Sequence, residues 1–142
     1  MSEGIEPNDS NDPSNPIDPG VIELASKVFD LARQGDAEAL AAYVDAGVPV
    51  NLTNDKGDCL VMLAAYHGHE EAVAALLARG ADPNRVNDRG QSPIAGAVFK
   101  SEDGIVQALL NAGADPEAGT PSAVDTARMF GKTHLLELFG TR

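Results

Sequence analysis

The sequence predicts an all-α fold, a helical solenoid of four helix-turn-helix units with short finger loops. Three observations predict this fold class. The chain resembles itself at an offset of 33 residues, apolar residues recur at helical spacing inside each copy, and a glycine ends each apolar stretch. One unit would leave an apolar face bare, so several units must stack to bury it. With 142 residues, the chain is long enough for one domain with its own core.

An acidic tail is expected before the helices. Residues 1–20 contain five acidic residues, no basic residue and four of the nine prolines. Such a segment cannot bury enough apolar area to offset the entropy lost when it becomes ordered. We therefore predict a disordered tail over 1–20, either a solubilising leader or a segment that folds on a partner.

The repeat array is expected to occupy residues 21–142. Its two central units are the clearest copies, since Leu76-Leu77 recurs as Leu109-Leu110 and the Gly-Ala-Asp-Pro segment at 80–83 recurs at 113–116. The outer copies match the repeat pattern less well. The last one begins three residues earlier than a period of 33 would place it, because the loop before it is shortened. The predicted units cover residues 21–53, 54–86, 87–119 and 120–142.

Each unit contains two helices and a projecting loop. In the second unit, one apolar stretch ends at Gly68 and the next ends at Gly80, where the lack of a Cβ allows a left-handed closing residue. Pro83 follows and cannot continue the helix. The polar stretches at 51–57 and 84–90 are predicted to be turns or finger-like hairpins. The first helix of the array is expected to be longer, with an apolar stripe formed by Val21, Leu24, Val28, Leu31 and Ala32.

Composition excludes several classes of function. The net charge of −12 argues against a nucleic-acid or anionic-membrane surface, because both need clustered basic residues. A single cysteine, Cys59, excludes an internal disulfide or a cysteine-built zinc site. No apolar run approaches the roughly 20 residues needed to span a bilayer. We also expect no secretory signal, because the N-terminal residues show neither a basic patch nor an apolar segment. The expectation is a soluble, cytoplasmic protein.

The order of residues within a unit resembles the ankyrin-repeat family. That family's pattern is a glycine, Thr-Pro-Leu-His-Leu-Ala-Ala, Gly-His, Leu-Leu and Gly-Ala-Asp at a period of 33. The segments of this chain at 63–65, 68–71 and 76–82 keep it almost letter for letter. The resemblance covers Val21 to about Gly140. It implies an ankyrin solenoid whose outer copies act as caps, and it places His69 at a structural position that bonds backbone groups at a helix start.

The third unit departs from the family pattern. Gly96 lies inside its first helix, at a cost of about 1 kcal/mol relative to alanine. Ser101-Glu102 replaces the Gly-His pair that follows that helix. We therefore expect the third unit to be the least stable part of the array.

No residue pattern indicates catalysis or metal binding. Gly131-Lys132-Thr133 ends like a phosphate-binding loop, but Thr126 stands where that loop needs a glycine. His67 and His69 are two residues apart, which points their side chains in different directions. Cys59 stands where the pattern has a helix-starting Thr and is expected to be a packed thiol. We expect no enzyme, no metal site and no cofactor.

The resemblance implies a set of partner-binding residues. In this family, the last two residues of each first helix and the finger tips face a concave groove and vary with the partner. Carried over to this sequence, the positions are Arg33, Gln34, Asp55, Lys56, Asp58, Tyr66, His67, Asp88, Arg89, Gln91, Phe99, Lys100, Met129 and Phe130. Tyr66, Phe99 and Met129 or Phe130 should form a ladder, with neighbours about 8–10 Å apart.

The ladder has two interpretations. These side chains could simply fill space between units, or they could form an aromatic contact surface flanked by charges, as in interface hot spots. We expect a protein-protein interaction module that is monomeric when free and binds a protein partner as an adaptor or inhibitor. The alternatives are an architectural subunit of a larger complex and, less favoured, a small-ligand binder or enzyme that uses His67, Asp58 and Lys100.

Overall fold

The computed structural model describes residues 19–140, and this part of the chain contains eight α-helices and no β-strand. The helices are α1 (Pro19–Gln34), α2 (Ala37–Asp45), α3 (Leu60–Tyr66), α4 (Glu70–Ala78), α5 (Pro93–Phe99), α6 (Asp103–Asn111), α7 (Ala123–Met129) and α8 (Thr133–Leu138). They form four consecutive helix-turn-helix pairs. The predicted all-α solenoid is confirmed.

The predicted acidic tail falls almost wholly outside the described residues. Only residues 19 and 20 belong to the described part, and they lie in the first turn of α1.

The helices form two layers. In the first layer α1, α3, α5 and α7 stack side by side, and in the second α2, α4 and α6 stack on one another. Each first-layer helix also packs on its partner in the same pair, including α7 on α8. The core lies between the layers, so each unit contributes a small share of one continuous interior.

Small side chains allow the first-layer helices to approach one another. Ala64, Ala97 and Ala127 occupy equivalent positions in α3, α5 and α7, and all three are fully buried. Leu76 and Leu109 fill the equivalent place in α4 and α6. The core is therefore built mainly from alanine and branched aliphatic residues, in keeping with a chain whose aromatic content is 4%.

The long first helix buries only part of its predicted apolar stripe. Val28 and Ala32 are fully buried, but Leu24 is 39% exposed. The first turns of α1 extend beyond the level at which α3 begins, since Leu60 is equivalent to Lys27, and so α3 does not cover them.

The beginnings of α3, α5 and α7 differ in their capping. Ser92 Oγ accepts a hydrogen bond from the Ala95 amide at 3.2 Å, and Ser122 Oγ accepts one from the Asp125 amide at 3.0 Å. Cys59 stands at the same place before α3 and makes no side-chain cap. The thiol is buried, and burial raises its pKa, which confirms the predicted packed cysteine.

The turns between paired helices need a residue with positive φ. Gly35, Gly68 and Gly131 supply it in three units, with φ of 82°, 79° and 66°. In the third unit Ser101 adopts φ 62°, although a side chain makes this conformation costly. His69 and Lys132, the residues after the second and the fourth of these turns, reach back to the preceding unit.

His69 shows this backward contact and corrects one expectation. Its Nε2 lies 2.7 Å from the carbonyl oxygen of Arg33, at the end of α1, and it makes no cap at the start of α4. The side chain therefore joins two units at the end of a helix and not, as expected, at a helix start. Lys132 makes an analogous contact to the Ser101 hydroxyl.

Candidate functional site

Two finger loops of the same design stand before α3 and α5. In the first, Asn54 Oδ1 accepts hydrogen bonds from the amides of Lys56 and Asp58, both at 2.9 Å. In the second, Asn87 Oδ1 accepts them from Arg89 and Gln91 at 3.0 and 2.9 Å. An asparagine side chain thus replaces the backbone partner that a tight loop lacks.

The fingers are also joined to one another. Asp88 N donates to the Lys56 carbonyl at 3.0 Å, and Asn87 Nδ2 donates to Asp58 Oδ1 at 2.8 Å. Thr120 N donates to the Gly90 carbonyl at 2.8 Å, which ties the following loop to the second finger. The fingers are therefore held in register.

A groove of about 560 Å³ runs between the fingers and the first-layer helices. Its floor comes from three neighbouring helices of the first layer. It includes Met62 and Tyr66 of α3, Gly96 and Phe99 of α5, and Thr126 of α7. Arg89 and Gln91 line its finger side. The groove is open to solvent and mainly apolar.

Four large apolar side chains along the groove are exposed. Tyr66 is 43% exposed, Phe99 and Phe130 are each 53% exposed, and Met129 is 65% exposed. The rings of Phe99 and Phe130 meet edge to face with centroids 5.6 Å apart. Phe99 and Phe130 are not at equivalent positions of their units, so this contact does not test the ladder spacing of 8–10 Å, which stays a prediction for equivalent residues.

Two basic side chains, Lys100 and His67, lie beside Tyr66. The Lys100 ammonium lies 4.9 Å from the centroid of the Tyr66 ring, in a cation–π arrangement. The rings of His67 and Tyr66 are nearly perpendicular, with centroids 5.5 Å apart. Desolvation by the surrounding protein, followed by the positive charges of His69, Arg33 and Lys100, lowers the pKa of His67 below its ordinary value of 6.5.

The structure brings together eight of the fourteen residues expected to bind a partner. Those that line the groove are Asp58, Tyr66, His67, Arg89, Gln91, Phe99, Met129 and Phe130. Lys100 stands beside it over Tyr66. Arg33, Gln34, Asp55, Lys56 and Asp88 do not line it. Arg33 is instead paired with Asp30 through Nη1 and Oδ1 at 2.9 Å.

Part of the groove floor was not predicted from the sequence. Met62, Ala95 and Thr126 line it, and they precede Tyr66, Phe99 and Phe130 by four residues each. Residues four apart lie on the same face of a helix. Stepping back one helical turn from the predicted positions would have found them.

Within residues 19–140, no cluster of three or more His, Cys, Asp or Glu residues is arranged to hold a metal ion. None of the described helices is long and apolar enough to cross a membrane.

Comparison with known proteins identifies the architecture. The family model for ankyrin repeats, in three copies, matches residues 28–120, which is more than half of the chain. The chain belongs to the ankyrin-repeat family. Ankyrin repeats are in general protein-protein interaction modules and are typically non-enzymatic.

One curated relative is an ankyrin repeat protein of Pseudomonas aeruginosa. It is 43% identical over 58 residues, which cover 41% of this chain and 34% of the relative. The aligned residues thus span about a third of the relative's length.

Proposed function

We propose that this ankyrin-repeat chain is a non-enzymatic interaction module that binds a protein partner in the groove, as an adaptor or inhibitor. In this proposal it acts in the cytoplasm and is monomeric when free. The supporting observation is the row of exposed apolar side chains, Tyr66, Phe99, Met129 and Phe130, contributed by three consecutive units. Exposed aromatic side chains beside charged ones are typical of interface hot spots.

The repeat itself does not require apolar residues at these positions. Arg33 and Gln34 occupy the equivalent places at the end of α1, and both are exposed and polar. His67 and Lys100 are equivalent to Phe130 and are polar as well. The apolar row therefore goes beyond the needs of stacking, which supports a role in contacting another molecule.

Capture from a lysate of cells that make the protein naturally tests the proposal. The groove variant is Tyr66→Ala/Phe99→Ala. The matched control is Ile22→Ala/Leu138→Ala, since those side chains are 51% and 43% exposed and do not line the groove. Circular dichroism checks that both variants keep the helix content of the wild type.

The wild type and the control are expected to retain the same partner, and the groove variant is expected to lose it. A partner retained equally by all three chains would place the contact elsewhere, as an architectural subunit could. Failure of the wild type to retain any protein would also contradict the proposal.

A further inference from the structure

Two cations flank the groove. Arg89 lines the finger side, and Lys100 lies over the Tyr66 ring. Across residues 19–140, the ion pairs within 4.0 Å join other side chains and include neither of these two. Their positive charges are therefore available to an incoming molecule.

The acidic group that lines the groove is already engaged. Asp58 accepts a hydrogen bond from Asn87 Nδ2 at 2.8 Å and a longer one from Asn54 Nδ2 at 3.4 Å. Asp55 and Asp88 are exposed on the fingers and do not line the groove. The groove consequently presents unpaired positive charge beside a satisfied carboxylate.

The electrostatic surroundings of His67 agree with this distribution. The charges that act on its imidazole are those of His69, Arg33 and Lys100, all of them basic groups. The whole chain carries −12 and would favour a basic partner at long range. At physiological ionic strength, however, charges more than about 8 Å away are largely screened. The charged groups that touch the partner therefore determine which sign of charge it should carry.

The floor between the two aromatic residues has room for a side chain. Gly96 lies there, and a Cβ added to it would meet Tyr66 Cδ1 at an ordinary 3.8 Å. Tyr66 stands at the end of the neighbouring helix α3, and Phe99 stands about one turn after Gly96 on α5 itself. An apolar side chain from a partner would contact both rings, with the two cations within reach of its flanking residues.

From these observations we infer that the groove accepts an acidic segment of a partner protein that carries an aromatic or aliphatic side chain. The apolar side chain sits over Gly96, and the neighbouring carboxylates pair with Arg89 and Lys100. This inference rests on the proposed function. Because the carboxylate contacts lie at the open edge of the groove, binding should weaken as salt is added.

A random-peptide display library tests the inference when it is selected on the immobilised full chain at low salt. The enriched peptides should contain more Asp and Glu than Lys and Arg, next to an aromatic or aliphatic residue. Their affinity should fall about tenfold or more in Arg89→Glu/Lys100→Glu, which loses two contact charges and adds two repulsive ones. The control Lys27→Glu/Arg85→Glu makes the same change in net charge at exposed residues outside the groove and should fall less than about twofold.

Other results would overturn the inference. The enriched peptides could be basic or uncharged and lose binding to Tyr66→Ala/Phe99→Ala. That result would support the groove as the binding site but would contradict an acidic partner. The same holds if acidic peptides bound Arg89→Glu/Lys100→Glu as tightly as the wild type. Selected peptides that bound Tyr66→Ala/Phe99→Ala unchanged, or no enrichment at all, would count against the proposed function as well.

Two further measurements address occupants from this chain itself. A synthetic peptide of residues 1–18 that displaced the selected peptides would assign the groove to the chain's own acidic N-terminal segment. Dimerisation in sedimentation that disappeared in Tyr66→Ala/Phe99→Ala would assign it to a second copy. Either result would contradict the inference that the groove binds an acidic segment of a separate partner protein.

Discussion

At the scale of single residues, the repeat allows one position to be compared with its own equivalents. Ser101 has φ 62°, and the equivalent residues Gly35, Gly68 and Gly131 have φ between 66° and 82°. The serine therefore adopts a left-handed conformation for which the other units use glycine. The Ser-Glu replacement could be found in the sequence, but the conformation it is forced to take depends on the turn between α5 and α6.

Ser101→Gly is expected to stabilise the protein by roughly 0.5–1 kcal/mol. Removing the side chain relieves the left-handed strain, while the added freedom of the unfolded chain offsets part of the gain. The lost contact with Lys132 is exposed and contributes little. Urea unfolding measures the change. Gly68→Ser is the reverse control and should destabilise, and a less stable Ser101→Gly would contradict the strain.

His67 makes a small contribution to the pH dependence of stability. Its pKa is lowered in the folded state, so between its folded value and 6.5 the unfolded chain binds the proton more readily. Stability should therefore fall as the pH drops below about 6.5. His67→Gln should make unfolding midpoints less sensitive to pH in this range. An unchanged or steeper dependence in His67→Gln would contradict the lowered pKa.

At the scale of elements, helix α5 contains the clearest local weakness. Gly96 costs about 1 kcal/mol inside a helix, and its Cβ position is free of close contacts apart from Tyr66 Cδ1 at 3.8 Å. Gly96→Ala should therefore raise the free energy of unfolding by up to about 1 kcal/mol, as measured in urea. A decrease would show that the backbone at Gly96 needs a glycine or that Tyr66 cannot accept the methyl group.

The second finger depends on one buried amide. Asn87 is 6% exposed, and its side chain makes hydrogen bonds to Asp58, Arg89 and Gln91. Asn87→Ala should cost about 2–3 kcal/mol, because buried donors and acceptors lose their partners. Asn54→Ala is the matched control in the first finger and should cost less, since Asn54 is less buried and its bond to Asp58 is long. Equal losses in urea unfolding would contradict this difference.

The helices and fingers were predictable because each depends on local signals that the repeat multiplies. Glycines that close helices, prolines that follow them and paired leucines recur at fixed spacing, so errors in one copy are corrected by another. The ring contact between Phe99 and Phe130 and the hydrogen bond of His69 to the Arg33 carbonyl oxygen were not predictable. Both depend on side-chain rotamers at the contact between units, about which residue spacing carries no information.

At the scale of the whole molecule, stacking turns a short repeat into an extended surface. Each unit adds one first-layer helix, fingers stand before α3 and α5, and the neighbouring helices α3, α5 and α7 form the floor of the groove. The charge of −12 is a poor guide to this surface. Five of the acidic residues lie before residue 19, while Arg89 and Lys100 at the groove form no ion pair with a carboxylate of residues 19–140. Global composition argues against some classes of function, and local geometry supports the proposed site.

The central claim is that the groove, and not the second layer of helices, contacts the partner. Hydrogen–deuterium exchange of the chain with and without its captured partner tests it most directly. We expect slower exchange in the fingers and at the ends of α3, α5 and α7, where Tyr66, Phe99 and Met129 lie, with α2 and α4 unchanged. Slower exchange confined to α2, α4 and α6, with the groove unaffected, would contradict the account.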